Sequence, residues 1–353
     1  MDEAAFSDYA RAWRERQLNA LTEFDVDLVD LDACPAWLAE AIRRDGTLAG
    51  RAGATTFLGT WGSYAAPNGG GANKKPVPRA LTIAGSDSGG GAGIQADLKT
   101  FTALGVYGAS VLTAVTAQNT RGVVAVQELS PETVAVQFRA VMDDIGADAV
   151  KTGMLGTATV AATVAALLRE YRVPRLVVDP VMHAKGGHPL LTEEGQRVLA
   201  RELLPLALVV TPNLAEAGIL LGREVCTLED MREAARRLRE LGPSWVVIKG
   251  GHLEGDPVDL AYDGRDWLEL RGPRFPVTVH GTGCTFSAAL TAGLARGLDV
   301  PAALVLAREF TALAIRHAPA LGRGHRPPNH AAAGRLMDRS ALSPPPGDPA
   351  GPG

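Results

Sequence analysis

Apolar residues in this chain fall into short blocks separated by longer stretches of helical spacing. The blocks at 80–84, 110–117, 176–178, 208–210 and 245–248 are rich in Val, Ile and Thr and bounded by turn formers. Apolar on both faces, they predict buried parallel strands. Helical periodicity fits 93–104, 132–145, 158–171, 193–203, 228–241, 285–296 and 301–318. The alternation predicts an α/β fold, with a doubly wound, mostly parallel sheet and helices on both faces.

Outside this core the pattern weakens. Residues 66–78 are turn formers and lysines, which bury no apolar area and read as a linker. Before them lie an amphipathic helical stretch at 4–21, a short strand at 26–31 and a second helical stretch at 35–44. One strand and two helices make too little core to stand alone, so 1–65 reads as an accessory segment. After residue 330 the chain runs into a proline-rich end, and 331–353 is expected to be a largely disordered tail.

Composition narrows the function. Lys plus Arg is 35 against 39 Asp plus Glu, a net charge of −4, which supplies no field for holding nucleic acid. The longest nearly apolar stretch, 157–168, is only about two-thirds of a membrane span, so no membrane partner is expected. The acidic start lacks the pattern of a signal peptide, giving an expectation of a cytoplasmic protein. Cys34, Cys226 and Cys284 are odd in number and far apart, so neither a disulfide framework nor a zinc cluster is expected.

The polar residues of the core sit just after the predicted strands. Gly85 to Gly93 follows the first, Gln118-Asn119-Thr120 the second, Asp179-Pro180 the third, Thr211-Pro212-Asn213 the fourth and Lys249-Gly250-Gly251 the fifth. In an open parallel sheet these ends share one edge, where ligands bind. Dinucleotide and P-loop patterns are absent, and the protease-like Asp87-Ser88-Gly89-Gly90 precedes every histidine, the reverse of chymotrypsin-type order. His183 and His188 read as loop residues.

Four local signals each carry two readings. His280-Gly281-Thr282-Gly283-Cys284-Thr285 precedes a helix, so its N–H groups and the helix dipole suit a phosphate; the alternative is an ordinary start capped by Thr282. Cys284 is either a thiol whose pKa falls at that terminus, fit to accept a hydroxyl proton, or a small buried hydrophobe. Asn213 and Glu216, one turn apart, are either Mg²⁺-type oxygen donors or a capping pair. Asp179 is either a cleft carboxylate or a turn residue, and Lys249 offers a cation for phosphate.

Seven segments, in order over 79–330, resemble the hydroxymethylpyrimidine/phosphomethylpyrimidine kinases of thiamine biosynthesis. They are Ala80 to Thr100, Ala117 to Gly122, Lys151 to Leu155, Asp179 to Met182, Thr211 to Glu216, Lys249 to His252 and His280 to Thr285. The resemblance implies a ribokinase-like fold and a kinase that moves the ATP γ-phosphate to 4-amino-5-hydroxymethyl-2-methylpyrimidine, then to the monophosphate. It implies Gln118, Gly85, Ala92, Met154 and Val181 around the pyrimidine, and Asp179 and Glu216 in the Mg²⁺ network. Lys249, Thr282 and Asn213 would lie toward ATP, with Gly281, Gly283 and Cys284 at the transferring phosphate. It also implies a homodimer. Two alternatives are a pyridoxal kinase of the same fold and a non-catalytic pyrimidine sensor. The segment 324–330 and the loop 182–187, where Lys185 is retained, depart from the family pattern. The segment 25–31 faintly resembles the end of a small nucleotidyltransferase domain whose Gly-Ser phosphate motif is missing.

Overall fold

The structure is a computed structural model that describes residues 76–342, apart from 185, 252 and 254–256. The expectations for 1–65, most of the linker, Lys185 and 343–353 lie outside the described residues. The compact unit carrying the elements below begins at Val77.

Nine strands form one sheet in the order β3-β2-β1-β4-β5-β6-β7-β8-β9 among the described residues. These are β1 (Arg79–Asp87), β2 (Tyr107–Asn119), β3 (Gly122–Glu128), β4 (Ala149–Thr152), β5 (Leu176–Val178), β6 (Val209–Val210), β7 (Trp245–Ile248), β8 (Val258–Tyr262) and β9 (Trp267–Arg271). From β2 to β7 every pairing is parallel. β3 at one edge and β8–β9 at the other are antiparallel.

Strand residues alternate between two cores. Leu81, Ile83, Val150, Leu176, Val178, Val246 and Ile248 face one core, while Ala80, Ala149, Val177, Val209 and Val247 face the other. The period of two is the pleat itself, and apolar residues on both sides demand helices on both sides. Those helices are α1 (Gly93–Ala103), α2 (Pro131–Asp144), α3 (Ala158–Glu170), α4 (Glu193–Val198), α5 (Leu214–Leu221), α6 (Leu228–Glu240), α7 (Thr282–Ala295), α8 (Val300–Arg316) and α9 (His330–Leu342). Phe138 of α2 and Phe310 of α8, each fully buried, anchor opposite faces. The expected doubly wound architecture is therefore present, and no helix among the described residues is long and apolar enough to cross a membrane.

Four differences from the expected elements have physical causes. β4 was not anticipated because Lys151 sits in its centre, and β8 because it holds Asp259. Both charges are buried and paired, with Asp97 and Arg308 respectively. β2 continues through Gln118 and Asn119, so these two residues end the strand rather than follow it. The expected disordered tail starts too early at 331, because α9 continues to Leu342 with Ala333 wholly buried and Gly334 against Ala103. Its Ala-rich start and apolar 333, 336 and 337 give helix propensity and a packing stripe that the downstream prolines mask in the sequence.

Candidate active site

All thirteen residues singled out from the sequence line one crevice of about 1730 Å³ at the carboxyl ends of the parallel strands. Gly85, Ala92, Gln118, Met154 and Val181 lie in it together with Asp179, Asn213, Glu216, Lys249 and the turn from Gly281 to Cys284. Gln118 and Cys284 thus share one cavity. A smaller recess adjoins it, sharing Asn213, Lys249, Thr282 and Gly283, and is walled by Phe275, Val277, Phe286 and Ile315. The crevice has two kinds of wall.

The first wall is built on β1, β2 and β4. β1 bulges between Ala84 and Ser86, which sets Gly85 beside Met154. Thr113 Oγ1 donates to the Met154 carbonyl at 2.6 Å, fixing that loop. Gln118 is locked by its backbone, whose N–H and carbonyl both meet Ser88 Oγ at 2.9 and 2.7 Å. Its side-chain oxygen lies 3.5 Å from Thr116 Oγ1, leaving the amide to face the crevice as a donor–acceptor edge.

The second wall is electrostatic. Lys249 Nζ donates to Asp179 Oδ1 at 2.9 Å, and Ser287 Oγ donates to Asp179 Oδ2 at 3.0 Å. Asp179 is 1% exposed. Burial alone would raise its pKa, but the ammonium groups of Lys249 and Lys151 outweigh that and hold the carboxylate ionised. Burial disfavours the charge on Lys249, yet Asp179 and Glu216 keep its pKa above the ordinary value. Glu216 is pushed up to about 7, chiefly by burial, with Asp179 adding repulsion and Lys249 opposing. The capping reading of Asn213 holds. Its side chain accepts the Glu216 N–H at 2.9 Å while Glu216 Oε2 accepts the Asn213 N–H at 2.8 Å, a complete capping box inside the crevice.

The turn before α7 removes the reading in which Thr282 caps the helix. Gly281, at φ 79°, is the N-cap and Thr282 the first helical residue, so the helix starts three residues earlier than its periodicity indicates. No side chain caps it. The first N–H groups therefore face the crevice unsatisfied by the protein, at the positive end of a fourteen-residue helix.

The expected fall in the Cys284 pKa is overturned. Burial pushes the thiol up to about 12, with Lys151 and the Gly93 N–H pulling down and Asp97 and Asp179 pushing further up. Desolvation outweighs the helix terminus here, so the sulfur is protonated at neutral pH.

Two contributors were missed by sequence reasoning. Lys151 lines the crevice with its side chain fully buried and donates to Asp97 Oδ2 at 2.9 Å, where Thr82 Oγ1 also donates at 2.6 Å. Its partner lies 54 residues away, so no local pattern reveals the pair. Asp87 accepts N–H groups from Gly89, Gly91 and Ala92 at 2.8 to 3.0 Å and holds the glycine loop after β1 in shape. Among the described residues no group of three or more His, Cys, Asp or Glu side chains could hold a metal by itself.

The comparisons agree with this geometry. The family model described as phosphomethylpyrimidine kinase matches residues 87–329. The chain is 52% identical over 271 residues to the thiamine biosynthesis bifunctional protein ThiED of Geobacter sulfurreducens, covering 75% of this chain but only 55% of that longer protein. It is 52% identical to the hydroxymethylpyrimidine/phosphomethylpyrimidine kinase of Streptomyces coelicolor, covering 72% of this chain and 94% of that one. Among solved structures, phosphomethylpyrimidine kinase from Clostridium difficile matches with TM-score 0.61 at 42% identity, over 66% of this chain and 97% of that one. An ADP complex of Bacillus subtilis pyridoxal kinase matches with TM-score 0.69 at 43% identity, over 73% and 98%. These relatives share the ribokinase-like architecture, and with a family model spanning most of its length the chain belongs to the phosphomethylpyrimidine kinases.

Proposed function

We propose that this chain uses ATP to phosphorylate 4-amino-5-hydroxymethyl-2-methylpyrimidine and then its monophosphate, as the names of its relatives describe for them. One observation carries the reading: a ring-edge amide, Gln118, and an uncapped helix terminus, Gly281 to Cys284, open into the same crevice. Gly85, Ala92, Met154 and Val181 form the flat, mostly apolar slot for the ring, and Gln118 reads its polar edge. The adjoining recess, with its aromatic and aliphatic walls, receives the nucleotide base, while Asn213, Lys249 and Thr282 lie between base and phosphates.

Phosphoryl transfer asks mainly for positioning and charge stabilisation. Lys249, the Gly281 to Cys284 N–H groups and the dipole of α7 supply positive potential where charge develops on the migrating group. Asp179 and Glu216 fit a Mg²⁺ that keeps several waters and takes its other oxygens from nucleotide phosphates, the pattern expected where only two protein carboxylates converge. When bound, that ion neutralises phosphate charge. Because the thiol starts protonated, Cys284 holds its place at the helix terminus first, and accepts the alcohol proton only if the bound substrates lower its pKa. The second acceptor, a phosphate already ionised near neutral pH, needs no such help. We further propose a dimeric protein in the cytoplasm.

The test is a transfer assay with the full chain, ATP, Mg²⁺ and each acceptor in turn, read by phosphate-ester formation. Ester on both acceptors is expected. Binding of the pyrimidine without ester establishes a sensor instead. The kinship to pyridoxal kinases of Bacillus subtilis and Staphylococcus aureus, at 43% and 38% identity, favours one second reading, pyridoxal as an acceptor. Faster turnover of pyridoxal than of the pyrimidine would select it.

A further inference from the structure

The anion-binding turn is braced from behind by the last described helix. Thr285, fully buried in the first turn of α7, donates its hydroxyl to the Gly281 carbonyl at 2.9 Å. The same carbonyl accepts the Thr285 backbone N–H at 2.9 Å. On the other side of that hydroxyl, 3.0 Å away, stands Nε2 of His330, the first residue of α9 and 4% exposed. A hydroxyl has one proton. Given to Gly281, that proton leaves Oγ1 as the acceptor, and the polarity assigned to the short contact is His330 Nε2–H donating to Thr285 Oγ1.

The result is a directed chain from His330 to Thr285 to Gly281. It ends on the carbonyl of the residue whose left-handed backbone launches the free N–H groups toward the crevice. Desolvation and nearby Lys99 push the His330 pKa down to about 4, so the donor is a neutral ring carrying its proton on Nε2. Its foundation is firm: Ala333 is wholly buried and Gly334 packs on Ala103 of α1.

We propose that His330 is a positioning residue for phosphoryl transfer: through Thr285 it sets the orientation of the Gly281 peptide and hence the aim of the turn at the migrating phosphate. The proposal rests on the kinase reading above, and its test separates the two. Wild type, His330→Phe, His330→Gln, Thr285→Val and the double variant His330→Phe/Thr285→Val are compared for kcat and KM with ATP and the hydroxymethylpyrimidine, alongside thermal midpoints.

His330→Phe is expected to lower kcat/KM about tenfold, the loss of one buried donor acting on the transition state. His330→Gln, whose amide can replace the Nε2–H, is expected to recover most of that. Thr285→Val should match His330→Phe, and the double variant should add less than about twofold, because both remove the same chain. Multiplying losses, or a Gln variant no better than Phe, would overturn the proposal. Should His330→Phe not fold, Thr285→Val decides alone, and turnover equal to wild type refutes the role. A wild-type chain without turnover refutes the kinase reading instead.

Discussion

Two glycine-rich turns meet across the crevice, and they spend their backbone donors in opposite ways. The loop from Gly85 to Gly93 folds around Asp87, whose carboxylate takes three N–H groups of the loop itself. The turn from Gly281 to Cys284 has no side chain to take its donors. Similar composition therefore yields a self-satisfied scaffold in one place and an uncapped helix start in the other. The difference lies in one carboxylate at the start of the first turn and none at the second. Glycine content alone says that backbone can come close; only the destination of the N–H groups says to what.

The largest expected effect comes from breaking the contact between the turns. A methyl group on Gly281 would run into the Gly91 carbonyl, and φ 79° is strained for any other residue. Gly281→Ala should cut turnover by about 100-fold or more while the chain still folds, because preorganised donors are lost. Circular dichroism and ester formation measure the two together; wild-type turnover would show that the turn is not gripping phosphate.

The next effect removes the internal acceptor of the scaffold turn. Asp87→Asn should destabilise by about 2 kcal/mol at pH 7, the worth of a charged acceptor for backbone donors. Burial pulls the Asp87 pKa upward, but the His280 ring 3.6 Å away and the N–H groups of Ala92 and Gly89 hold it below the ordinary value. A carboxylate depressed in this way contributes stability above the unfolded pKa of about 3.9, and that contribution disappears as pH falls through the folded value. Denaturant midpoints of the two proteins should therefore converge as acid protonates the folded carboxylate. A gap that persists in acid would mean that shape, not charge, holds the loop.

The smallest effect concerns the thiol at the second turn. Cys284→Ala is expected to slow transfer to the alcohol about tenfold and transfer to the monophosphate less, since only the alcohol has a proton to shed. Equal losses on both acceptors would count against any base role. With its pKa near 12, Cys284 should also resist iodoacetamide at pH 7.5 while exposed Cys226 reacts.

Much of this was legible in the chain. Strands β1, β2, β5, β6 and β7 announce themselves by β-branched runs, and the polar residues at their ends assemble as the parallel-sheet rule requires. What stayed hidden depends on distance. β4 and β8 carry charges that read as surface until Asp97 and Arg308 arrive from elsewhere in the chain. β3 escapes because its Val124 and Ala125 are exposed, so no buried face imprints an alternation. The direction of the Cys284 pKa was misjudged because the helix terminus is visible in sequence and the desolvating surroundings are not. His330 reaches Thr285 across 45 residues, a pairing with no local signature.

The packing of Met154 on Gly85 has a consequence for how this enzyme family could drift. A methyl group added at Gly85 would meet the Met154 sulfur at 2.8 Å, the end of an unbranched side chain that can swing aside. The Gly85–Met154 contact is thus a soft one, able to give where the backbone contact of Gly281 with Gly91 cannot. Under the proposed function, small substitutions there would change which ring the slot admits, so a new acceptor would lie a single substitution away.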